Sequence, residues 1–241
     1  MDLRSKFGFR ERRETPFLSE AEFARLREEM VEKQIRRRGL ADARVLAAMR
    51  EVPRHEFVPQ ELRAQAYEDK PLPIGENQTI SQPYMVASMT AALGLTGAER
   101  VLEIGTGCGY QAAVLSRLAK EVYSIEVHSS LALAAQERLA RLGYTNVHVH
   151  CGDGTLGLPE CAPFDAIVVT AAAPAVPAPL LEQLVPPPRD GRLVIPVGHE
   201  DHQELRLIRK SAGQISSQVI EECRFVPLIG RHGWRLPFRN E

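Results

Sequence analysis

The feature that most constrains the fold is a ten-residue stretch, VLEIGTGCGY, at residues 101–110. Its apolar run is interrupted by an acid at Glu103, and glycines then follow at alternate positions: Gly105, Gly107 and Gly109. Because residues 111–118 have a helical pattern, the stretch predicts a strand, a tight turn and a helix, the first unit of a doubly wound α/β sheet. Glycines let the backbone approach a ligand closely, and the helix start offers amide donors with partial positive charge.

The spacing of the glycines indicates the kind of ligand. A dinucleotide-binding turn has its third glycine where this chain has Tyr110, which disfavours an NAD-dependent dehydrogenase. The acid at Glu103 would repel a pyrophosphate but would suit an ammonium group. S-adenosylmethionine carries an ammonium group, a carboxylate for the amides and a nucleoside, so the turn favours it as the cofactor. On this motif alone, a glycine-rich turn without a ligand remains an alternative.

Two later strand ends supply further acids. Residues 121–126 predict a strand that ends in Glu126, 21 residues past Gly105, an offset that suits a carboxylate accepting the ribose hydroxyls of a nucleoside. Residues 147–151 predict the next strand, and Asp153 follows it. Open α/β sheets bind ligands at the carboxyl ends of their strands, so Asp153 is predicted to accept a hydrogen bond from an adenine amino group.

The rest of the chain continues the pattern of predicted strands and completes an α/β fold. Residues 164–170 predict a fully apolar, buried parallel strand, and residues 191–198 predict a fifth strand. Residues 204–209 and 218–223 flank a turn and predict an antiparallel hairpin. The predicted fold class is therefore α/β, a doubly wound and mostly parallel sheet with a C-terminal antiparallel hairpin and N-terminal helices.

The N-terminal part is predicted to be helical. Helices are expected over residues 20–38, 43–51 and 85–93, the first ending at three arginines and Gly39. Residues 1–19 show no period and predict a loosely ordered leader. Residues 20–241 are interpreted as a single domain with three parts: N-terminal helices and substrate loop (20–95), cofactor-binding core (96–200), and hairpin with C-terminal cap (201–241).

Residues 71–84 are dense in polar side chains held between prolines. A plain linker would not need both stiff corners and the polar group formed by Gln78, Thr79, Ser81 and Gln82. This segment is therefore predicted to be a functional loop.

Composition excludes several classes of function. A net charge of −1 gives no argument for nucleic acid or membrane binding, and no apolar run approaches membrane-spanning length. The four cysteines form no C-x-x-C pair, and His148 and His150 have no evident third ligand, so no metal site is predicted. We expect a cytoplasmic protein with reduced thiols, no nucleic-acid or membrane partner, and a monomeric state.

Several segments together carry a resemblance to a known family. They are PIG (73–75), QTISQPYMVA (78–87), VLEIGTG (101–107), FDAIVVTAAAP (164–174) and GRLVIPVG (191–198). The chain resembles the protein-L-isoaspartate O-methyltransferases over roughly residues 30–234. The TISQPY block is specific to that family, whereas the glycine turn is shared with many methyltransferases.

The resemblance implies a Rossmann-like methyltransferase that uses S-adenosylmethionine to methylate the side carboxyl of isoaspartyl residues in proteins and peptides, which starts their repair. The family's active-site serine falls on Ser81. The residue patterns and the resemblance together assign cofactor binding to Gln78, Thr79, Ile80, Glu103, Gly105, Thr106, Gly107, Gly109, Glu126, Val127, Asp153 and Gly154. Three departures from the family pattern remove no ligand group: Cys108 replaces a usual serine, Asn77 replaces a common glycine, and residues 186–190 lengthen a turn.

Two other functions compete with this one. A methyltransferase that acts on RNA or on a small molecule would share the glycine turn, but it does not account for the Ser81 loop, and the chain has no basic excess. A non-catalytic protein that senses the cofactor or altered peptides would bind S-adenosylmethionine without transferring its methyl group.

Overall fold

The computed structural model describes residues 18–199 and 202–235. The predicted leader at residues 1–19 lies almost entirely outside this part of the chain and remains a prediction, as does the division into one domain with three parts. None of the helices in the described residues is long and apolar enough to cross a membrane.

A seven-stranded sheet forms the centre of the fold, and a small two-stranded sheet precedes it. The strands are β1 (Leu72–Gly75), β2 (Gln78–Ile80), β3 (Arg100–Ile104), β4 (Glu121–Glu126), β5 (Val147–Cys151), β6 (Ala166–Val169), β7 (Gly191–His199), β8 (His202–Ser211) and β9 (Gln214–Cys223). The large sheet has the order β5-β4-β3-β6-β7-β8-β9. Strands β3 to β7 are parallel, and β8 is antiparallel to both of its neighbours. The predicted fold class is confirmed.

Six α-helices accompany the sheet: α1 (Glu20–Met30), α2 (Ala43–Glu51), α3 (Pro83–Leu93), α4 (Tyr110–Ser116), α5 (Ser129–Arg141) and α6 (Ala178–Glu182). Helix α1 begins with a capping box, in which Ser19 accepts from the amide of Glu22 and the Glu22 carboxylate accepts from the amide of Ser19. The predicted helix over residues 20–38 is continuous but changes type, because a π-helical segment (Val31–Ile35) and a 3₁₀ turn (Arg36–Arg38) follow α1.

Some element boundaries differ from the prediction. Helix α3 begins at Pro83 rather than at residue 85, because a proline in the first turn gives up an amide that would have no helical partner. The sequence also predicts a helix that is capped by Ser129 or Ser130 and runs to Leu142; helix α5 instead begins at Ser129, with His128 as its N-cap. Strands β8 and β9 are longer than the predicted segments because they pair along almost their whole length.

Strand β6 lies between two layers of core. All four of its residues are fully buried, and they alternate between the two faces of the sheet. Ala166 and Val168 pack in the cluster that includes the N-terminal helices, and Ile167 and Val169 pack in the cluster that includes α6. This confirms the predicted buried parallel strand, and it brings the carboxyl ends of β3, β4 and β6 to one edge of the sheet.

Candidate active site

The glycine turn after β3 depends on the absence of side chains. Gly105 has a φ of +96°, and a Cβ there would lie 2.4 Å from Oγ1 of Thr170. That hydroxyl donates to the carbonyl oxygen of Gly105 at 2.7 Å. Gly109 has a φ of +89° and is the N-cap of α4. The turn is therefore fixed against the end of β6, with its amides at the edge of the sheet.

Glu126 at the end of β4 holds the turn from the other side. Its Oε2 accepts from the amide of Gly107 at 2.8 Å, and its Oε1 accepts from the amide of His128 at 3.0 Å. A carboxylate oxygen has two lone pairs, so both oxygens keep the capacity to accept one further hydrogen bond. Glu126 also lines the adjacent pocket, the position required for the predicted contact with ribose hydroxyls.

Glu103 lies beneath the turn and is fully buried. Ser124 donates to its Oε2, and the hydroxyls of Ser124 and Thr106 are 2.6 Å apart. Its Oε1 has no partner among the described residues. Burial raises the pKa of the Glu103 carboxyl to about 8. An orphaned buried carboxyl oxygen fits a cationic ligand group, and the predicted contact with the cofactor's ammonium group stays a prediction.

Asp153 holds the chain's own backbone. Its Oδ1 accepts from the amide and hydroxyl of Thr155, at 2.9 and 2.6 Å, and its Oδ2 accepts from the amide of Arg231 at 2.8 Å. A Cβ on Gly230 would lie 2.0 Å from Oδ1, so only glycine allows this approach. Asp153 thus anchors the C-terminal segment, and its predicted contact with adenine stays a prediction.

A pocket opens at the carboxyl ends of β3, β4 and β6, where the strand order reverses, as is typical of ligand sites in open α/β sheets. The predicted cofactor residues in its lining are Gln78, Thr79, Gly105, Gly107, Glu126, Val127 and Gly154. A Cβ on Gly154 would lie 2.5 Å from Cγ2 of Ile104, so only glycine lets the backbone pack this closely against Ile104. Of the other predicted residues, Glu103, Gly109 and Asp153 lie behind the lining and support it.

The C-terminal segment, residues 226–229, forms a pocket wall that the sequence did not predict. It is tied to Ala172, whose amide donates to the carbonyl of Val226 and whose carbonyl accepts from the amide of Leu228, both at 2.8 Å. The indole of Trp234 donates to the same carbonyl at 2.9 Å. Thr170 and His128 also line the pocket without having been predicted. Ala171 lines it too, and it is the first of four small residues (171–174) whose size predicts that a substrate can approach the sheet edge.

The hairpin of β1 and β2 covers the pocket. Ile74 packs over the turn, with its Cδ1 3.1 Å from the position of a Cβ on Gly107. At the hairpin tip, Ser130 donates to Oε1 of Glu76 at 2.7 Å. Asn77 has a φ of 55°, a conformation that asparagine tolerates, so it replaces the glycine of the family pattern without a clash. The pocket beneath is narrow, about 70 Å³ in volume.

A second, wider cleft of about 480 Å³ meets the pocket at Thr79 and Thr170, which line both. Ser81 lines this cleft, and it also lines a narrow connecting space beside Ile80 and Thr106. The structure thus brings the predicted loop residues to the junction of two cavities. Among the described residues that line the cleft there is no histidine or lysine that would activate Ser81.

A doubly wound sheet with a pocket at its switch point, joined to a wider cleft, defines the class of Rossmann-like ligand-binding proteins. A family model, protein-L-isoaspartate(D-aspartate) O-methyltransferase, matches residues 25–233. The chain belongs to this family.

Individual relatives agree with that assignment. A protein-L-isoaspartate O-methyltransferase from Methanoculleus marisnigri is 56% identical over 211 residues, covering 88% of this chain and 94% of the relative. One from Pelobacter propionicus is 57% identical over 210 residues, covering 86% and 92%. A solved protein-L-isoaspartate O-methyltransferase, 33% identical, superposes with a TM-score of 0.76, covering 86% of this chain and 67% of the other. A putative one from Plasmodium falciparum, in complex with S-adenosyl-L-homocysteine, is 25% identical, with a TM-score of 0.73 and coverage of 84% and 98%.

Proposed function

We propose that this protein transfers the methyl group of S-adenosylmethionine to the side carboxyl of L-isoaspartyl residues in damaged proteins and peptides. The neighbouring backbone nitrogen then attacks the ester carbonyl and methanol leaves, which gives a succinimide whose hydrolysis returns some normal aspartate. The observation that carries the proposal is the junction at Thr79, Ser81 and Thr170, where a cofactor-type pocket opens into a cleft wide enough for a peptide.

The donor set of the pocket fits the cofactor. Glu126 accepts the ribose hydroxyls. Glu103 supplies the negative charge for its ammonium group, and Gly154 makes room for its adenine. Gly105 and Gly154 both line the pocket, and both positions require glycine, because a Cβ on either would collide with Thr170 or Ile104.

The chemical step requires that the acceptor carboxylate and the methyl donor are positioned correctly, and it does not require a general base. A carboxyl acceptor is already ionised at neutral pH, since its pKa is near 4. S-adenosylmethionine supplies the methyl group on a sulfonium, so the charges of donor and acceptor disappear as they react. Water stabilises separated charges and slows such a step. The β1–β2 hairpin and residues 226–229 exclude water, and Ser81 orients the acceptor oxygen.

We also propose that the protein acts in the cytoplasm as a monomer, on polypeptides rather than on nucleic acids or membranes. The four cysteines, which are free thiols, support a reducing compartment. The net charge of −1 gives no attraction to phosphates.

The test of the function is methyl transfer to two synthetic peptides of one sequence, which differ only in an isoaspartyl or a normal aspartyl linkage. With labelled S-adenosylmethionine, we expect ester formation on the isoaspartyl peptide alone. In the normal aspartyl peptide the backbone runs past the side carboxyl along a different path. Small free carboxylic acids should be poor acceptors. Equal labelling of both peptides, or of neither, would contradict the assignment.

Replacing Ser81 with alanine should lower the rate only modestly. A positioning hydroxyl removes no proton, so the pH profile should keep its shape. Single-turnover experiments at several pH values measure both quantities, with Ser81→Thr as the variant that retains the hydroxyl. Methyl trapped on Ser81 of the parent protein, or a loss of several orders of magnitude, would instead identify an activated nucleophile.

Replacing Ser130 with alanine should make S-adenosyl-L-homocysteine dissociate faster. The β1–β2 hairpin covers the pocket, and Ser130 holds the hairpin tip through its hydrogen bond to Glu76. The loss of one exposed hydrogen bond predicts a rise in the dissociation rate of about 2- to 10-fold in stopped-flow fluorescence. Ser129→Ala, which alters the exposed neighbouring serine, is the matched control. Identical dissociation rates for the two variants would show that the contact does not restrain the hairpin.

A further inference from the structure

Arg54 is a buried cation that the proposed mechanism does not use. Its side chain is 0% exposed. Its Nε donates to the carbonyl oxygen of Ala66, and its Nη2 donates to the carbonyl oxygen of Ser81, both at 2.7 Å. Its guanidinium lies over the ring of Tyr110, 4.9 Å from the centroid. One side chain therefore contacts three segments that are far apart in sequence.

Two of these segments belong to the two halves of the site. Ser81 lines the acceptor cleft, two residues before α3 begins at Pro83. Tyr110 is the first residue of α4 and directly follows the glycine turn that lines the cofactor pocket. Arg54 is thus the physical link between the loop that presents the acceptor and the turn that holds the donor.

Burying the charged guanidinium of Arg54 costs free energy. No carboxylate of the described residues lies within 4 Å of the guanidinium nitrogens of Arg54, and Nη1 has no hydrogen-bond partner among those residues. Burial lowers the pKa of Arg54, yet arginine stays charged in proteins. Among the described residues, two carbonyl oxygens and an aromatic face compensate for the buried charge. An apolar side chain would fill a structural core at lower cost, so the charge and geometry of Arg54 serve something other than packing.

We propose that Arg54 is a positioning residue for methyl transfer, which fixes the Ser81 loop against the glycine turn so that acceptor oxygen and methyl donor are held in line. This inference rests on the proposed function. A guanidinium suits the task because its donors form a rigid planar fork that reaches two carbonyls while its face stacks on Tyr110. A lysine ammonium keeps the charge but cannot hold both carbonyls in fixed directions.

The test compares Arg54→Lys with Arg44→Lys. Arg44 is the control, because its Nη1 also donates to a backbone carbonyl, that of Leu95 at 2.7 Å, while its side chain is exposed and lines neither cavity. For each variant, kcat and peptide KM are measured at saturating cofactor, binding of S-adenosyl-L-homocysteine by calorimetry, and folding by thermal unfolding. Arg54→Gln, which is neutral, is the second variant if the lysine ammonium prevents folding.

We expect Arg54→Lys to lower kcat by about 100-fold, the cost of a misplacement near 1 Å, with unchanged affinity for S-adenosyl-L-homocysteine. Arg44→Lys should match the parent protein in every measurement. A folded Arg54→Lys variant with the parent's kcat would overturn the proposal. A decrease in kcat that is fully explained by the fraction of unfolded protein, or by weaker cofactor binding, would overturn it as well. Failure of both Arg54 variants to fold would overturn it too, because the role would then be structural. Failure of the proposed function is distinct: the parent protein itself would not methylate isoaspartyl peptides.

Discussion

Replacing Glu126 with alanine is expected to weaken the binding of S-adenosyl-L-homocysteine by about 10- to 150-fold, which corresponds to about 1.5–3 kcal/mol for hydrogen bonds to a charged group. The variant removes the acceptor for the ribose hydroxyls. It also leaves the amides of Gly107 and His128 without their partner, so the glycine turn loses its support. Calorimetry measures the affinity directly and does not depend on turnover.

Two further variants make this measurement specific. Glu121→Ala changes an acid at the other end of the same strand, where its side chain pairs with His148 away from the pocket, and it should bind as the parent does. Glu126→Gln keeps one acceptor oxygen, so its affinity for S-adenosyl-L-homocysteine should lie between that of Glu126→Ala and that of the parent protein. A folded Glu126→Ala with the parent's affinity would remove Glu126 from the cofactor site.

The second large effect is a pH dependence of cofactor binding, which is caused by Glu103. In the free protein, burial raises the pKa of this carboxyl to about 8, so it is mostly protonated at pH 7. A ligand ammonium group pairs with the ionised form, so binding at pH 7 should release about one proton. The affinity for S-adenosyl-L-homocysteine should therefore rise as the pH increases toward 8, by at most about tenfold per pH unit, and then level off.

Calorimetry in buffers of different ionisation enthalpy counts the released proton. Glu103→Gln, which is neutral and of similar size, should release none and should lose the steep pH dependence. The same carboxyl should make the free protein less stable as pH rises from about 4.5 to about 8, because the unfolded chain gives up its proton first. Proton release that is the same in Glu103→Gln as in the parent would contradict this role.

The parts of the site that the sequence predicted are those that lie within one local unit. The spacing between the glycine turn and Glu126 is set by one strand-helix-strand unit, so both could be placed from the pattern alone. Ser81 was identified through the family resemblance, and the structure places it at the junction of the two cavities. Its role in catalysis stays a prediction.

The parts that could not be predicted depend on contacts between distant segments. Asp153 was placed correctly at a strand end, but its oxygens bond to Arg231, 78 residues away, and no sequence pattern indicates that partner. Residues 226–229 have no period that would predict a pocket wall. Arg54 gave no signal because its partners are backbone carbonyls, and any residue type supplies those.

The most direct test of the central claim is a crystal structure of the protein with S-adenosyl-L-homocysteine and an isoaspartyl peptide. We expect the nucleoside beside Glu126 and Gly154, and the peptide's side carboxyl beside Ser81, with the two ligands meeting at Thr79 and Thr170. A peptide bound elsewhere, or a carboxyl separated from the cofactor's sulfur by protein, would contradict the claim that these two cavities form one methyl-transfer site.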